Sequence, residues 1–106
     1  MGERRAATGR RSLDDILRTL RDHMPDLREN HGVRSLAVFG SYVRGQQRKR
    51  SDLDVLVEFE QAPTLFGFMD LEEELSRLLG VKVDLVSRKA LKGEIGSRIL
   101  EEAIVP

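Results

Sequence analysis

The sequence contains no cysteine. That excludes a disulfide framework and any thiolate metal site, so a bound metal must be held by oxygen or imidazole ligands, a chemistry that favours magnesium over zinc. No apolar run approaches the ~20 residues that cross a bilayer, and the first residues lack the hydrophobic stretch of a secretory signal. A cytoplasmic protein that engages no membrane is therefore expected. Net charge is also absent, because 18 Lys+Arg balance 18 Asp+Glu. The overall charge thus gives no reason to expect direct nucleic-acid binding. With neither internal repeats nor low-complexity segments, what remains is 106 residues, 40% hydrophobic and 34% charged. This suits one small domain with a modest core and a heavily solvated surface.

Charge is nevertheless unevenly distributed. Arg4, Arg5, Arg10 and Arg11 form one basic cluster and Arg48-Lys49-Arg50 another, whereas Glu72-Glu73-Glu74 and Glu101-Glu102 are acidic. Such runs are read as solvated faces or tails. Residues 1–11 are expected to be a disordered tail, and 12–106 a single domain.

Ser12, with Asp15 three positions on, has the pattern of a capping box ahead of Leu13, Ile16, Leu17 and Leu20 at helical spacing. Pro25 is expected to kink or end that helix, with a short second piece to about Asn30 before His31-Gly32 closes the segment. Ser35 to Phe39 is a short apolar run that suits a buried strand. From Leu53 to Phe59 the odd positions are apolar and alternate with Asp52, Asp54 and Glu58, which predicts a half-buried strand. Leu65 to Leu79 carries the stripe Phe68, Leu71, Leu75, Leu78 and Leu79, ended by Gly80, and predicts an amphipathic helix. Val81 to Val86 is read as a third strand, and Ile95, Ile99, Ala103 and Ile104 mark a final helix. The order is α-β-α-β-α-β-α, an α/β (α+β) chain with a small sheet of about three strands. Phe66, Phe68 and Met69 are assigned to the core or to a partner contact, Tyr42 to packing, and His23 and His31 to the surface or helix ends.

The stretch that carries chemistry runs from Gly40 to Asp54. Gly40 lets the backbone approach a phosphate without a Cβ in the way, and Ser41 opens a helical turn whose free N–H groups attract an anion. The hydroxyls of Ser41 and Ser51 can add hydrogen bonds. Arg44, one turn along, can reach phosphate oxygens or brace the acidic loop, pairing with Asp52 in the second case. Asp52 and Asp54, two apart, leave one face of a strand with Cα atoms about 6–7 Å apart. Two carboxylates at that spacing repel by roughly 2–3 kcal/mol at an effective dielectric near 20, so the pair calls for a cation. Two magnesium ions sharing these acids fit the arrangement. A third acid is needed, and Asp84 is the best candidate because it interrupts an apolar strand; Glu58 is the fallback.

Gly40-Ser41, Arg44-Gly45, Ser51-Asp52, Asp54 and the acid of Val83-Asp84-Leu85 together resemble the signature of the DNA polymerase beta-like nucleotidyltransferases. The match is nearest to their shortest branch, the minimal nucleotidyltransferases (MNT) that pair with HEPN toxins in prokaryotic toxin–antitoxin modules. The resemblance implies a mixed sheet flanked by helices, magnesium-ATP as donor, and AMP transfer onto a tyrosine of the cognate toxin. It implies that Asp52, Asp54 and Asp84 are metal ligands, with Asp84 also the base, and that Gly40 and Ser41 contact the triphosphate. Larger relatives carry extra domains for the base, sugar or acceptor, which are lacking here, so a partner chain or a second copy is expected to complete the site. Two rival readings are a binding antitoxin that neutralises its partner by contact, and a small-molecule transferase of the aminoglycoside type.

Overall fold

Ser12 starts the first helix as its sequence pattern requires, with the hydroxyl accepting the Asp15 N–H at 3.1 Å. The computed structural model describes residues 12–48 and 51–106. The tail expected over 1–11, and Lys49 and Arg50 of the second basic cluster, lie outside them.

The first helix, α1, runs unbroken over Leu13–His31 with Pro25 inside it. This corrects the expected break. Pro25 removes one backbone bond, but it sits on the exposed side of the helix, as does Arg21, whose carbonyl would have been the acceptor. Ile16, Leu20 and Leu27, on both sides of the proline, are buried against the sheet and hold the two halves in one line. Pro25→Ala is therefore expected to raise stability by about 1–3 kcal/mol, since an interior proline costs a helix roughly 3 kcal/mol and gives part of that back by stiffening the unfolded chain. An increased urea midpoint would show it; an unchanged or reduced one would mean that packing depends on the proline ring.

Strand β1 spans Val33–Phe39, two residues longer at its start than expected, because it leaves directly from the left-handed cap at Gly32. A single turn, α2, covers Ser41–Arg44. Strand β2 spans Leu53–Phe59 and helix α3 Leu65–Leu79, both with the expected limits. Thr64 caps α3 by accepting the Gly67 N–H at 3.1 Å, and Gly80 ends it at φ 70°. Strand β3 runs Val83–Ser87, followed by a 3-10 turn at Arg88–Ala90 and helix α4 over Gly93–Glu102. The last helix is shorter than its apolar pattern suggested. Ile104 lies beyond it and pairs with Val38 at the outer rim of β1 through two backbone bonds of 2.9 and 2.8 Å. Those bonds replace the ones that continuing the helix would have provided.

The sheet is mixed, in the order β1-β2-β3, with β1 antiparallel and β3 parallel to β2. An irregularity between Val33 and Ser35 shifts the pleat of β1. Val33 thereby joins Leu36 and Val38 on the same face as Leu53, Val55, Val57, Val83 and Leu85. α1 and α3 cover that face with Ile16, Leu20, Leu71, Leu75 and Leu79. The opposite face is only partly covered: Ala37, Phe39 and Leu56 pack against Val86, Leu91, Ile99 and Ala103. Tyr42 is buried in the main core, as expected of a packing residue. Phe66 and Met69 are not core. Both are exposed, because the buried stripe of α3 runs through Leu71, Leu75 and Leu79 and leaves them on the other side. Along the outer rim of β3, α3 supplies acceptors: Ser76 Oγ takes the Val83 N–H at 3.0 Å and Glu72 Oε2 takes the Leu85 N–H at 2.8 Å.

Candidate active site

Alternation along β2 buries Leu53, Val55 and Val57 and sends Asp54 to the partly covered face. Asp52 precedes the strand by one residue and shares that parity. β3 lies parallel with Asp84 opposite Asp54, so the two acids stand on adjacent strands, on one face, with Cα atoms about 5 Å apart. Asp52 and Asp84 are exposed, whereas Asp54 is half-buried. Glu58 is not part of this group. It lies four residues further along β2, roughly 13 Å away, where it accepts from Ser35 Oγ at 3.3 Å and pairs with Arg88 and Arg34 at 3.5 and 3.9 Å. A cavity of about 610 Å³ lies at this far end, between Phe59, Phe68, Arg34 and Arg88.

Asp54 carries the electrostatic signature of the cluster. Burial, followed by the charges of Asp84 and Asp52, pushes its carboxyl up to about 6, with Arg44 opposing and Glu102 adding to the shift. Both neighbouring acids therefore bear on Asp54. Among the described residues no three acidic or histidine side chains already close around a point as metal ligands would. Their donor set is nevertheless all oxygen, and the strain registered by Asp54 is the kind that a divalent cation relieves.

β1 ends at Phe39, opposite Asp54, so the next residue arrives directly over β2. Gly40 has φ 83° and ψ −152°, a combination open essentially to glycine alone. A Cβ there would overlap Asp54 Oδ2 and stand 3.0 Å from its Cγ. The space beside Gly40, expected to admit a phosphate, is thus taken by the Asp54 carboxylate. The Gly40 N–H is also engaged, donating to Glu102 Oε2 at 2.7 Å. Arg44 donates from Nη1 to Glu102 Oε1 at 2.8 Å and from Nε to Gln46 Oε1 at 3.1 Å, so it braces α4 rather than Asp52. Ser41 begins α2, and Ser51 closes the following loop by accepting the Arg48 N–H at 2.7 Å. The Gly40 N–H bond, with Arg44, holds the Glu102 carboxyl below the usual carboxylate range.

Glu102 escaped the sequence reading, where it appeared only as part of an acidic run. A signal was present: it lies three residues after Ile99, on the stripe that α4 turns inward, where an acid needs a partner.

The nucleotidyltransferase domain model matches residues 19–106. The chain belongs to the nucleotidyltransferase domain family. This nucleotidyltransferase is 47% identical to the protein adenylyltransferase MntA of Thermococcus cleftensis over 88% of its own length and 94% of that protein's. A solved structure provisionally described as a minimal nucleotidyltransferase superposes with a TM-score of 0.73 at 41% identity, covering 89% of this chain and 95% of the other. A tri-AMPylated Shewanella oneidensis HEPN toxin in complex with its MNT antitoxin is similar at a TM-score of 0.55 and 21% identity, over 87% of this chain and 66% of that one, a likeness of fold. The nucleotidyltransferase is thus a minimal member, with the expected mixed sheet flanked by helices. Among its described residues no helix is long and apolar enough to cross a membrane.

Proposed function

We propose that this nucleotidyltransferase is a magnesium-dependent protein adenylyltransferase that moves AMP from ATP onto a tyrosine hydroxyl of a HEPN ribonuclease, acting as the antitoxin of a type VII toxin–antitoxin module. The observation that carries the reading is the register that sets Asp54 against Asp84 on one face, beside Gly40. Asp52, Asp54 and Asp84 would hold two magnesium ions, which supply a lowered pKa at the attacking hydroxyl and charge neutralisation at the triphosphate. The acceptor oxygen attacks the α-phosphorus, the bond from that phosphorus to its bridging oxygen breaks, and pyrophosphate leaves. Asp84, the more exposed of the two register partners, takes the hydroxyl proton. Ser41, at the start of α2, and Ser51 face the triphosphate with their hydroxyls. The similarity to a protein adenylyltransferase over nearly its whole length supports the donor and the reaction. The fold shared with an antitoxin bound to an AMPylated HEPN toxin supports the acceptor.

Intact-mass measurement of the HEPN partner tests this. Co-expression with the wild-type chain is expected to add about 329 Da per AMP, the mass of a transferred adenylyl group. A partner that is silenced but unmodified would instead establish the rival reading, inhibition by contact.

A further inference from the structure

Gly40 lies at the junction of two hydrogen-bonding systems: its carbonyl accepts the Val43 and Arg44 N–H groups of α2 at 3.0 and 3.1 Å, but its own N–H falls outside both. β1 stops at Phe39 and α2 begins at Ser41, so the Gly40 N–H takes part in no strand ladder and no helix. A backbone donor in that position needs an acceptor from elsewhere, and Glu102 Oε2 provides it at 2.7 Å. The second oxygen of the same carboxylate binds Arg44 Nη1 at 2.8 Å. One side chain from the end of α4 therefore grips both the residue before α2 and the last residue of α2. A four-residue turn is far too short to hold its own shape in water. Glu102 is itself held, because two residues later Ile104 pairs with Val38 through both of its backbone groups. Its side chain is only 23% exposed, against 50% for Arg44.

We infer that Glu102 is a positioning residue of the nucleotide site, a carboxylate clamp that fixes the Gly40 peptide and Arg44 so that Ser41 and Asp54 are presented to the triphosphate. This rests on the functional reading above and deepens it. Asp54 packs on Gly40 from the side where a Cβ would be, while Glu102 holds the N–H of the same residue. The packing of Asp54 thus depends on a residue tied by its carbonyl to α2 and by its N–H to Glu102. The Gly40 N–H and Arg44 then serve the phosphates by holding the loop, and direct contact passes to Ser41 and its neighbours.

The test uses the full chain and its Glu102→Ala and Glu102→Gln variants, each titrated calorimetrically with magnesium and α,β-methylene ATP, whose α–β bridge cannot be broken. Hydrogen exchange over residues 38–46 is followed in the metal-free protein. Glu102→Ala is expected to weaken analogue binding at least tenfold and to speed Gly40 amide exchange by a similar factor, with β2 and α3 exchanging as in wild type. Glu102→Gln retains an acceptor for the Gly40 N–H but has no charge for Arg44. It is expected to recover the amide protection and only part of the affinity, a split that a general loss of folding would not give. In transfer assays the same order should appear in the KM for ATP. Unchanged or tighter analogue binding by Glu102→Ala would overturn the inference, tighter binding by showing that the carboxylate competes with the phosphates. If the wild type binds no analogue, the nucleotide reading fails, and the exchange result decides the clamp alone: equal exchange in wild type and Glu102→Ala removes it.

Discussion

Asp54→Asn is expected to abolish AMP transfer, by three orders of magnitude or more, while making the metal-free protein more stable at neutral pH. Loss of transfer follows from removing the central acid of a two-metal site. The gain in stability follows from the direction of the Asp54 shift. Its carboxyl titrates at about 6 in the folded chain against 3.8 for the free group, so the folded state binds that proton more tightly. The stabilisation this provides is complete below about 3.8 and is lost as pH rises through about 6. At pH 7 the charged carboxylate is thus a burden that asparagine, of nearly the same shape, does not impose. The Tm difference between variant and wild type should accordingly be near zero at pH 3.5, open between pH 4 and 6.5, and stay level above. Magnesium should raise the wild-type Tm at pH 7 and leave Asp54→Asn unmoved. Asp52→Asn is expected to lose transfer as well. A Tm difference that is flat across this range, or transfer that persists in both variants, would be incompatible with the site described.

Gly40→Ala is expected to cost both stability and activity, far beyond the usual penalty for alanine at a left-handed position. At Gly32, where φ is 67° and no described atom lies within 4 Å of where a Cβ would stand, alanine meets only the conformational cost of roughly 1–2 kcal/mol. At Gly40 the methyl group would overlap Asp54 Oδ2, at a φ of 83°. Either Asp54 swings away from Asp84 or the Gly40 peptide leaves Glu102, and each outcome dismantles the site. A Tm several degrees below that of Gly32→Ala, with transfer lost in Gly40→Ala alone, is the expected pattern. Equal losses in the two variants would mean that the Gly40–Asp54 contact is immaterial.

The parts of the fold legible in the sequence are those written in periodicity. β2 keeps every odd position apolar because one of its faces is core, with Leu56 alone breaking the alternation where the other face is covered, and α3 has a clean stripe because it lies on that core, so their limits could be read directly. Features decided by tertiary packing could not. Pro25 signals an end to α1, yet Leu27 lies deep enough in the core to carry the helix past it. Ile104 fits the helical stripe of α4, but the open rim of β1 offers its backbone two hydrogen bonds. At the site, Asp52, Asp54 and Gly40 stand out because their spacing is local. That Asp84 stands opposite Asp54 is a matter of register between strands separated by a whole helix, which the pattern of either strand leaves open. The role of Glu102 depends on a contact between residues 62 apart in the chain and on an N–H that neither β1 nor α2 engages.

The side chains that α3 lays along β3 also govern how this protein can meet others. An extended segment seeking to lengthen the sheet there would have to displace Glu72 and Ser76 from amides they already satisfy. On the opposite flank it would find the Val38 position taken by the chain's own Ile104. Among the described residues neither flank offers an uninterrupted template for stacking copies into fibres.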